Sequence, residues 1–254
     1  MFDFIRKTLV ILELEIRKII HDPLEVFTRS VQPALWLLIF GQVFAKMPIQ
    51  SFHTDYLSFM TPGILAQSVL FVSIFSGIAI IWERDLGLIQ KILTTPTPRT
   101  AIVLGKALSA GARAIPIVII IYLLAIILGV SIHWDALHIA GVFVFVILGS
   151  IFFSTFSLIL ACLVKTRERF MGIGQLLTMP LFFASNAIYP IELMPDWLKF
   201  LSHINPLTYV IDGLRSLMLG VPSGLGILLD FAILLISSIF VVILGGILYK
   251  RVAA

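Results

Sequence analysis

Residues 82–108 read WERDLGLIQKILTTPTPRTAIVLGKAL, with Glu83, Arg84, Asp85, Lys91, Arg99 and Lys106 set between two long apolar runs. This island is too amphipathic for a simple turn and too short for a domain. Lying between two stretches that could each cross a bilayer, it is where a membrane-embedded chain can be gripped by something soluble. Its position also fixes how the rest of the chain divides.

Hydrophobic residues make up 59% of the 254 residues and charged ones 13%, about half the soluble-protein norm of roughly 25%. A water-soluble core could not hide that much apolar surface, so the chain reads as an all-α integral membrane protein. The net charge of +4 does not point to nucleic acid, because the Lys and Arg residues sit between apolar runs instead of on one basic face. The single cysteine, Cys162, lies inside an apolar run, which excludes an internal disulfide and a thiol cluster for metal.

A spanning helix needs about 20 predominantly apolar residues. Six segments qualify, at about 28–46, 57–82, 107–130, 136–164, 172–190 and 226–249. An even number of spans puts both termini on one side, and fifteen of the 18 Lys and Arg residues then share that side; Lys46, Lys199 and Arg215 lie opposite. Under the positive-inside rule the termini and residues 83–106 are cytoplasmic.

Residues 1–22 are no signal peptide, because Asp3, Arg6, Lys7, Glu13, Glu15, Arg17 and Lys18 interrupt them. Ile5, Leu9, Leu12, Ile16 and Ile19 recur at helical spacing, as in an amphipathic helix lying on the inner membrane surface. Val10, Ile11 and Leu14 spoil its polar face, so either a partner covers it or it is a plain anchor. Proline disfavours helix at the residue before it, so this helix should stop near Pro23.

Polar residues interrupt the spans. Arg113 lies about two turns into the third, where it can snorkel back to the interface or pair within the bundle. Pro62 in the second span and Pro180 in the fifth predict kinks or broken ends. Gln67, Ser68, Ser73 and Ser76 on the second, with Gln175, Thr178, Ser185 and Asn186 on the fifth, either line a path or bond neighbouring helices.

Catalytic constellations are scarce. The five histidines form no HExxH pattern, there is no GxSxG, and no metal site is expected. Gly105-Lys106 is not a phosphate loop, since Thr100 stands where the first glycine belongs and Ala107 where the magnesium-binding hydroxyl belongs. The chain is therefore expected to hold no cofactor and to hydrolyse nothing itself.

Residues 189–222 read YPIELMPDWLKFLSHINPLTYVIDGLRSLMLGVP. Two short helical patterns, about 194–203 and 206–219, are punctuated by Pro190, Pro195 and Pro206. Neither can span, which predicts re-entrant or interfacial helices on the external side, folded back against the fifth and sixth spans. Asn205 should cap the piece that Pro206 opens, and Asp212 and Arg215 can meet on one face.

The two quoted stretches together resemble the type 2 ATP-binding-cassette exporter permeases, the family of daunorubicin-type drug, polysaccharide and nodulation-factor exporters. The likeness runs over nearly the whole chain. It rests on Glu83, Gly87, Thr95, Pro96, Arg99, Gly105 and Lys106 with Pro195, Trp197, Asn205, Pro206, Asp212, Gly213 and Arg215. Gln90 departs from the pattern where an acidic residue is frequent, so no salt bridge is implied there.

The resemblance implies one transmembrane permease domain over residues 1–254, in a prokaryotic plasma membrane. Two such subunits, as a homodimer or close heterodimer, would pair with separate ATPase subunits that bind ATP and Mg. Residues 83–106 would form a coupling helix docking on the ATPase through Glu83, Arg84, Asp85, Gly87, Lys91 and Arg99. A substrate path at the dimer seam would be lined by Gln67, Phe71, Phe75, Thr178, Phe182 and Asn186, and Asn205, Pro206, Asp212 and Arg215 would form an outer gate. The cargo expected is amphipathic, drug-like or lipid-linked. The alternative is a membrane anchor or assembly subunit that transports nothing.

Overall fold

A computed structural model describes residues 2–21, 23–45, 55–164 and 166–249, and it is built from helices. The chain opens with α1 (Phe2–His21), α2 (Pro23–Leu35), a π-helical stretch Trp36–Gly41 and α3 (Gln42–Ala45). Then come α4 (Tyr56–Ser76), α5 (Ile78–Asp85) and α6 (Leu88–Leu93). The second half holds α7 (Arg99–Ile127), α8 (Ala136–Leu163), α9 (Arg167–Phe183), α10 (Asp196–Ile204), α11 (Pro206–Leu219) and α12 (Ile227–Leu248).

Four helices are long and apolar enough to cross a membrane: the run Tyr56–Asp85, α7, α8 and α12. They match four of the six expected spans. The other two take less regular forms. The stretch expected at 28–46 is helical from Pro23 to Ala45 but locally underwound by the π segment, and residue 46 lies outside the described residues. The stretch expected at 172–190 begins earlier and ends at Phe183, three residues past Pro180, giving 17 residues, or about 26 Å at the helical rise.

α4 occupies the centre. It packs against α7, α8, α9 and α11, and its Ile64, Leu65, Ala66, Val69 and Leu70 are all enclosed. A helix apolar on every side belongs in such a position. Val142 and Val146 of α8 and Val210, Ile211 and Leu214 of α11 complete the core around it. At the periphery α12 exposes Ile236, Ile239, Phe240, Ile243 and Ile247, and α7 exposes Ile119, Leu123 and Ile126. Contiguous faces of that size are the surface a bilayer covers.

The expected fold-back of residues 189–222 takes a particular form. α10 and α11 are the two short helices, and Asn205 caps the second, its side-chain oxygen accepting from the Leu207 N–H at 3.0 Å. α11 inserts among α4, α8 and α12. Its packing is thus on the expected sixth span, but on the second and fourth rather than the fifth. The Asn205 amide reaches the fifth, donating to the Leu181 carbonyl at 2.6 Å.

Candidate functional site

Three sets of residues stand out, and α4 with α5 runs through all of them. The first is at the end where α1 lies. α1 packs along α7, and the close approach depends on Gly105, where a Cβ would sit 2.7 Å from Ile11 Cβ and 2.9 Å from the Thr8 carbonyl. So of the residues that spoil α1's polar face, Ile11 packs on this chain's own α7, while Val10 and Leu14 remain exposed, as do Ile5 and Leu9. Glu15 (3% exposed) points inward from it.

Glu15 meets Lys106 of α7 at 3.3 Å and Arg113 at 3.4 Å. Lys106 in turn holds Glu83 of α5 at 2.6 Å, and Lys18 bridges Glu15 at 2.9 Å and Glu83 at 3.0 Å. Burial alone would raise the Glu15 pKa, but the Lys106 charge, then Lys18 and Arg113, bring it down to about 2. Lys18 is pushed up against its desolvation by hydrogen bonds and charge from Glu15 and Glu83. Arg113 therefore pairs inside the bundle. Glu83, expected on the docking surface, is 6% exposed and ties α5 to α1 and α7. Gly105-Lys106, so far from cradling phosphate, is a packing notch followed by the cation of this cluster.

Beyond Glu83 the chain turns outward. Asp85 pairs with Arg167 of α9 at 2.8 Å, and the Arg167 guanidinium stacks 3.3 Å over the Trp82 ring. Arg84 donates to the Val164 carbonyl at 3.1 Å. Gly87, at φ +70°, makes the left-handed turn into α6, a conformation that costs a residue with a Cβ about 1 kcal/mol or more. At the tip Leu86 (67% exposed), Leu88 and Lys91 face outward, with Arg99 partly covered at the start of α7. Leu86 and Leu88 thus form an exposed apolar pair beside a turn held by the Arg84–Val164 and Asp85–Arg167 contacts. Neither leucine was singled out in the sequence, where an exposed Leu looks like any other.

The second set is a cavity of about 570 Å³ between α2, α4 and α9, lined by Gln67, Phe71 and Phe75 of the expected path together with Arg29, Gln32, Met171 and Gln175. α2 thus supplies a wall that the sequence did not predict. Thr178, Phe182 and Asn186 lie elsewhere. Thr178 bonds the Gly174 carbonyl of its own helix, and Phe182 is enclosed against Trp36, centroids 6.2 Å apart.

Asn186 belongs to the third set, at the opposite end. Its amide donates to Asp212 Oδ1, Arg215 meets the same oxygen at 3.4 Å, and Arg215 Nη2 donates to the Asn186 carbonyl at 2.7 Å. The guanidinium also lies 3.9 Å from the Phe59 ring centroid on α4. Asp212 and Arg215 meet as their spacing predicts, but in a shielded cluster joining α4, α11 and the chain after α9. Asn205 and Pro206 stand at the head of the same helix.

A multi-pass helical bundle with a polar-rimmed cavity and a clamped hairpin at one end defines a membrane permease. The chain belongs to the ABC-2 type transporter family, which matches residues 6–219. It is 31% identical over 220 residues to "Putative transport permease ycf38" of Cyanophora paradoxa, covering 85% of this chain and 75% of that protein. It is 24% identical to daunorubicin resistance ABC transporter permease protein DrrB1 of Streptomyces coeruleorubidus, over 79% of this chain and 70% of the relative. Inner membrane transport permease YadH of Escherichia coli K12 is also 24% identical, over 80% and 81%.

Proposed function

We propose that this chain is the transmembrane subunit of an ATP-driven exporter that moves an amphipathic molecule out of the cytoplasm. It would work in a plasma membrane with two partners: a second permease copy, and a separate ATPase that binds ATP and Mg and docks on the α5–α6 hairpin. Six spans and cytoplasmic termini complete the reading, with the helical run Pro23–Ala45 and α9 as the first and fifth. The observation that carries it is the continuity of α4 and α5. Gln67, Phe71, Phe75 and Ile78 line the cavity from the same run whose far end, Leu86, is the exposed tip. Force applied at the hairpin therefore reaches the cavity along one helical run.

Gly77 is where that run can bend. Its N–H makes a long 3.4 Å hydrogen bond to the Ile74 carbonyl, which also accepts the Ser157 hydroxyl of α8. A side chain inserted into the helical ladder is a recognised cause of a kink.

The test changes the tip and nothing buried. Leu86→Asp with Leu88→Asp should leave insertion and helix content intact while abolishing co-purification of the ATPase and ATP-dependent transport in proteoliposomes. Transport and co-purification at the unaltered level would remove the hairpin from the coupling pathway.

A further inference from the structure

The cavity between α2, α4 and α9 is layered. Its three glutamines, Gln67 of α4, Gln32 of α2 and Gln175 of α9, stand near the midpoints of their helical runs, Tyr56–Asp85, Pro23–Ala45 and Arg167–Phe183. Its main apolar groups stand nearer the hairpin. Phe71, Phe75 and Ile78 follow Gln67 along the run toward Asp85, and Met171 precedes Gln175 on α9, whose first residue, Arg167, pairs with Asp85. The space thus sets hydrogen-bonding groups at mid-span and rings toward the α1 end. A lipid lying in the leaflet on that side carries its headgroup and chains in the opposite order, so the cavity is not shaped for one.

The amides are uncommitted. None of the three glutamine side chains hydrogen-bonds another described residue, although Gln67 is only 5% exposed. An enclosed amide without a partner is costly at membrane depth, and a flat neighbouring surface cannot reach it, so a molecule entering the cavity is what satisfies it. Glutamine offers an acceptor oxygen, two donor hydrogens and no charge. Arg29, the charged residue among the described lining, has a partner of its own, and no carboxylate lines the space. An ion of either sign would therefore lose hydration at mid-span without a free counter-charge. The volume of about 570 Å³ falls within the usual range for small-molecule sites, roughly 300–1,000 Å³. Phe71 and Phe75, with ring centroids 6.1 Å apart, offer aromatic surface to a planar apolar body.

We infer that this cavity binds uncharged molecules that join a ring-bearing apolar body to groups able both to donate and to accept hydrogen bonds, amide or hydroxyl, with Gln67 as the specificity-determining residue. The inference rests on the transport reading above for its biological sense and narrows the cargo of that reading, but the binding preference belongs to the permease alone.

The experiment uses the purified full chain in phosphatidylcholine nanodiscs, with Cys162→Ala and an environment-sensitive fluorophore on a cysteine placed at Met171, on the cavity rim. Four probes share one ring system: naphthalene-2-carboxamide, its N,N-dimethyl derivative, which has lost the donors, naphthalene-2-carboxylate and 2-naphthylmethylammonium. Concentrations are corrected for partition into empty nanodiscs. The primary amide should shift the fluorophore at a concentration about tenfold below each of the other three, the size of one or two neutral hydrogen bonds. Gln67→Met, close in shape but without the amide, should erase its advantage over the dimethyl amide while leaving the dimethyl amide response unchanged. Gln67→Asn should keep part of the advantage. A purely structural role for Gln67 would instead weaken all four probes alike, and that result would overturn the inference. So would equal responses in the unaltered permease, a charged probe that binds as well as the primary amide, or a preference that survives Gln67→Met. Loss of ATP-driven transport in the hairpin variant leaves this binding untouched, so the two readings fail separately.

Discussion

Glu83 carries a lesson about single residues. In the sequence it is one acid in a charged island, and nothing in residues 82–108 shows which way it points. Its partner Lys18 lies 65 positions away, and Glu15 is 91 positions from Lys106. Such distances are invisible to periodicity. Once assembled, the cluster is held by mutual need: taking away one member of a buried ion pair leaves an uncompensated charge, at a cost of about 3–5 kcal/mol. Lys106→Met should therefore destabilise the permease by roughly that amount, most of it recovered when Glu83→Gln is added, as read by thermal unfolding in detergent. Glu15 gives the pH dependence. Its carboxyl titrates at about 2 in the fold against 4.5 unperturbed, so its contribution is fully present above about 4.5 and drains away as pH falls toward about 2. A spin label on a cysteine at Leu9 should stay immobile at pH 5 and loosen reversibly below pH 3, with Lys106→Met moving that loosening to higher pH. A label equally mobile at both values would exclude Glu15 as the tether of α1.

At the scale of elements, the parts written in local code were legible. The end of α1 before Pro23, the Asn205 cap followed by Pro206, and the two short helices α10 and α11 each depend on residues within a few positions of one another. The parts set by packing were not. Thr178 and Phe182 are on the same helix as Gln175, and their type does not reveal that one face of α9 lines the cavity while the other closes on Trp36. The π segment has no sequence signature either. Gly105 lies between the two cases: its place in a family pattern is visible, but its physical reason appears only in the contact with α1. Association inside a bilayer relies on close packing through small residues, since lipid is as apolar as the helices. Gly105→Val should accordingly push α1 off α7, at about 1–3 kcal/mol for overpacking, and separate Glu15 from Lys106. Cysteines at Ile11 and Ala101 crosslink readily only if the helices stay together. An unchanged crosslinking yield in Gly105→Val would mean that the notch is not needed.

Across the whole molecule, α4 and α5 tie two polar clusters at opposite ends: Glu83 enters the one at the α1 end, and Phe59 lies under Arg215 in the other. A displacement of this run at the hairpin would be felt at the far end through that ring. The far cluster, expected from the sequence to act as an outer gate, is unequal between its two charges. Asp212 accepts from Asn186 and Arg215, but Arg215 also donates to the Asn186 carbonyl and covers Phe59. A cation over an aromatic ring is worth about 0.5–2 kcal/mol, and the carbonyl bond to a charged donor about 1.5–3 kcal/mol. Arg215→Ala should thus open the gate more than Asp212→Ala, raising basal ATPase activity of the assembled complex or substrate leak by the larger factor; about 1.4 kcal/mol less closed-state preference is a tenfold change in the closed-to-open ratio. The swap Asp212→Arg with Arg215→Asp should fail to rescue, because it puts a carboxylate beside a carbonyl and the face of a ring, both of which repel it. Arg215→Lys should restore part of the closed state, keeping the charge but losing the fork. Full rescue by the swap would mean that only the mutual attraction of the two charges matters, and that the tie to α4 through Phe59 does not hold the gate.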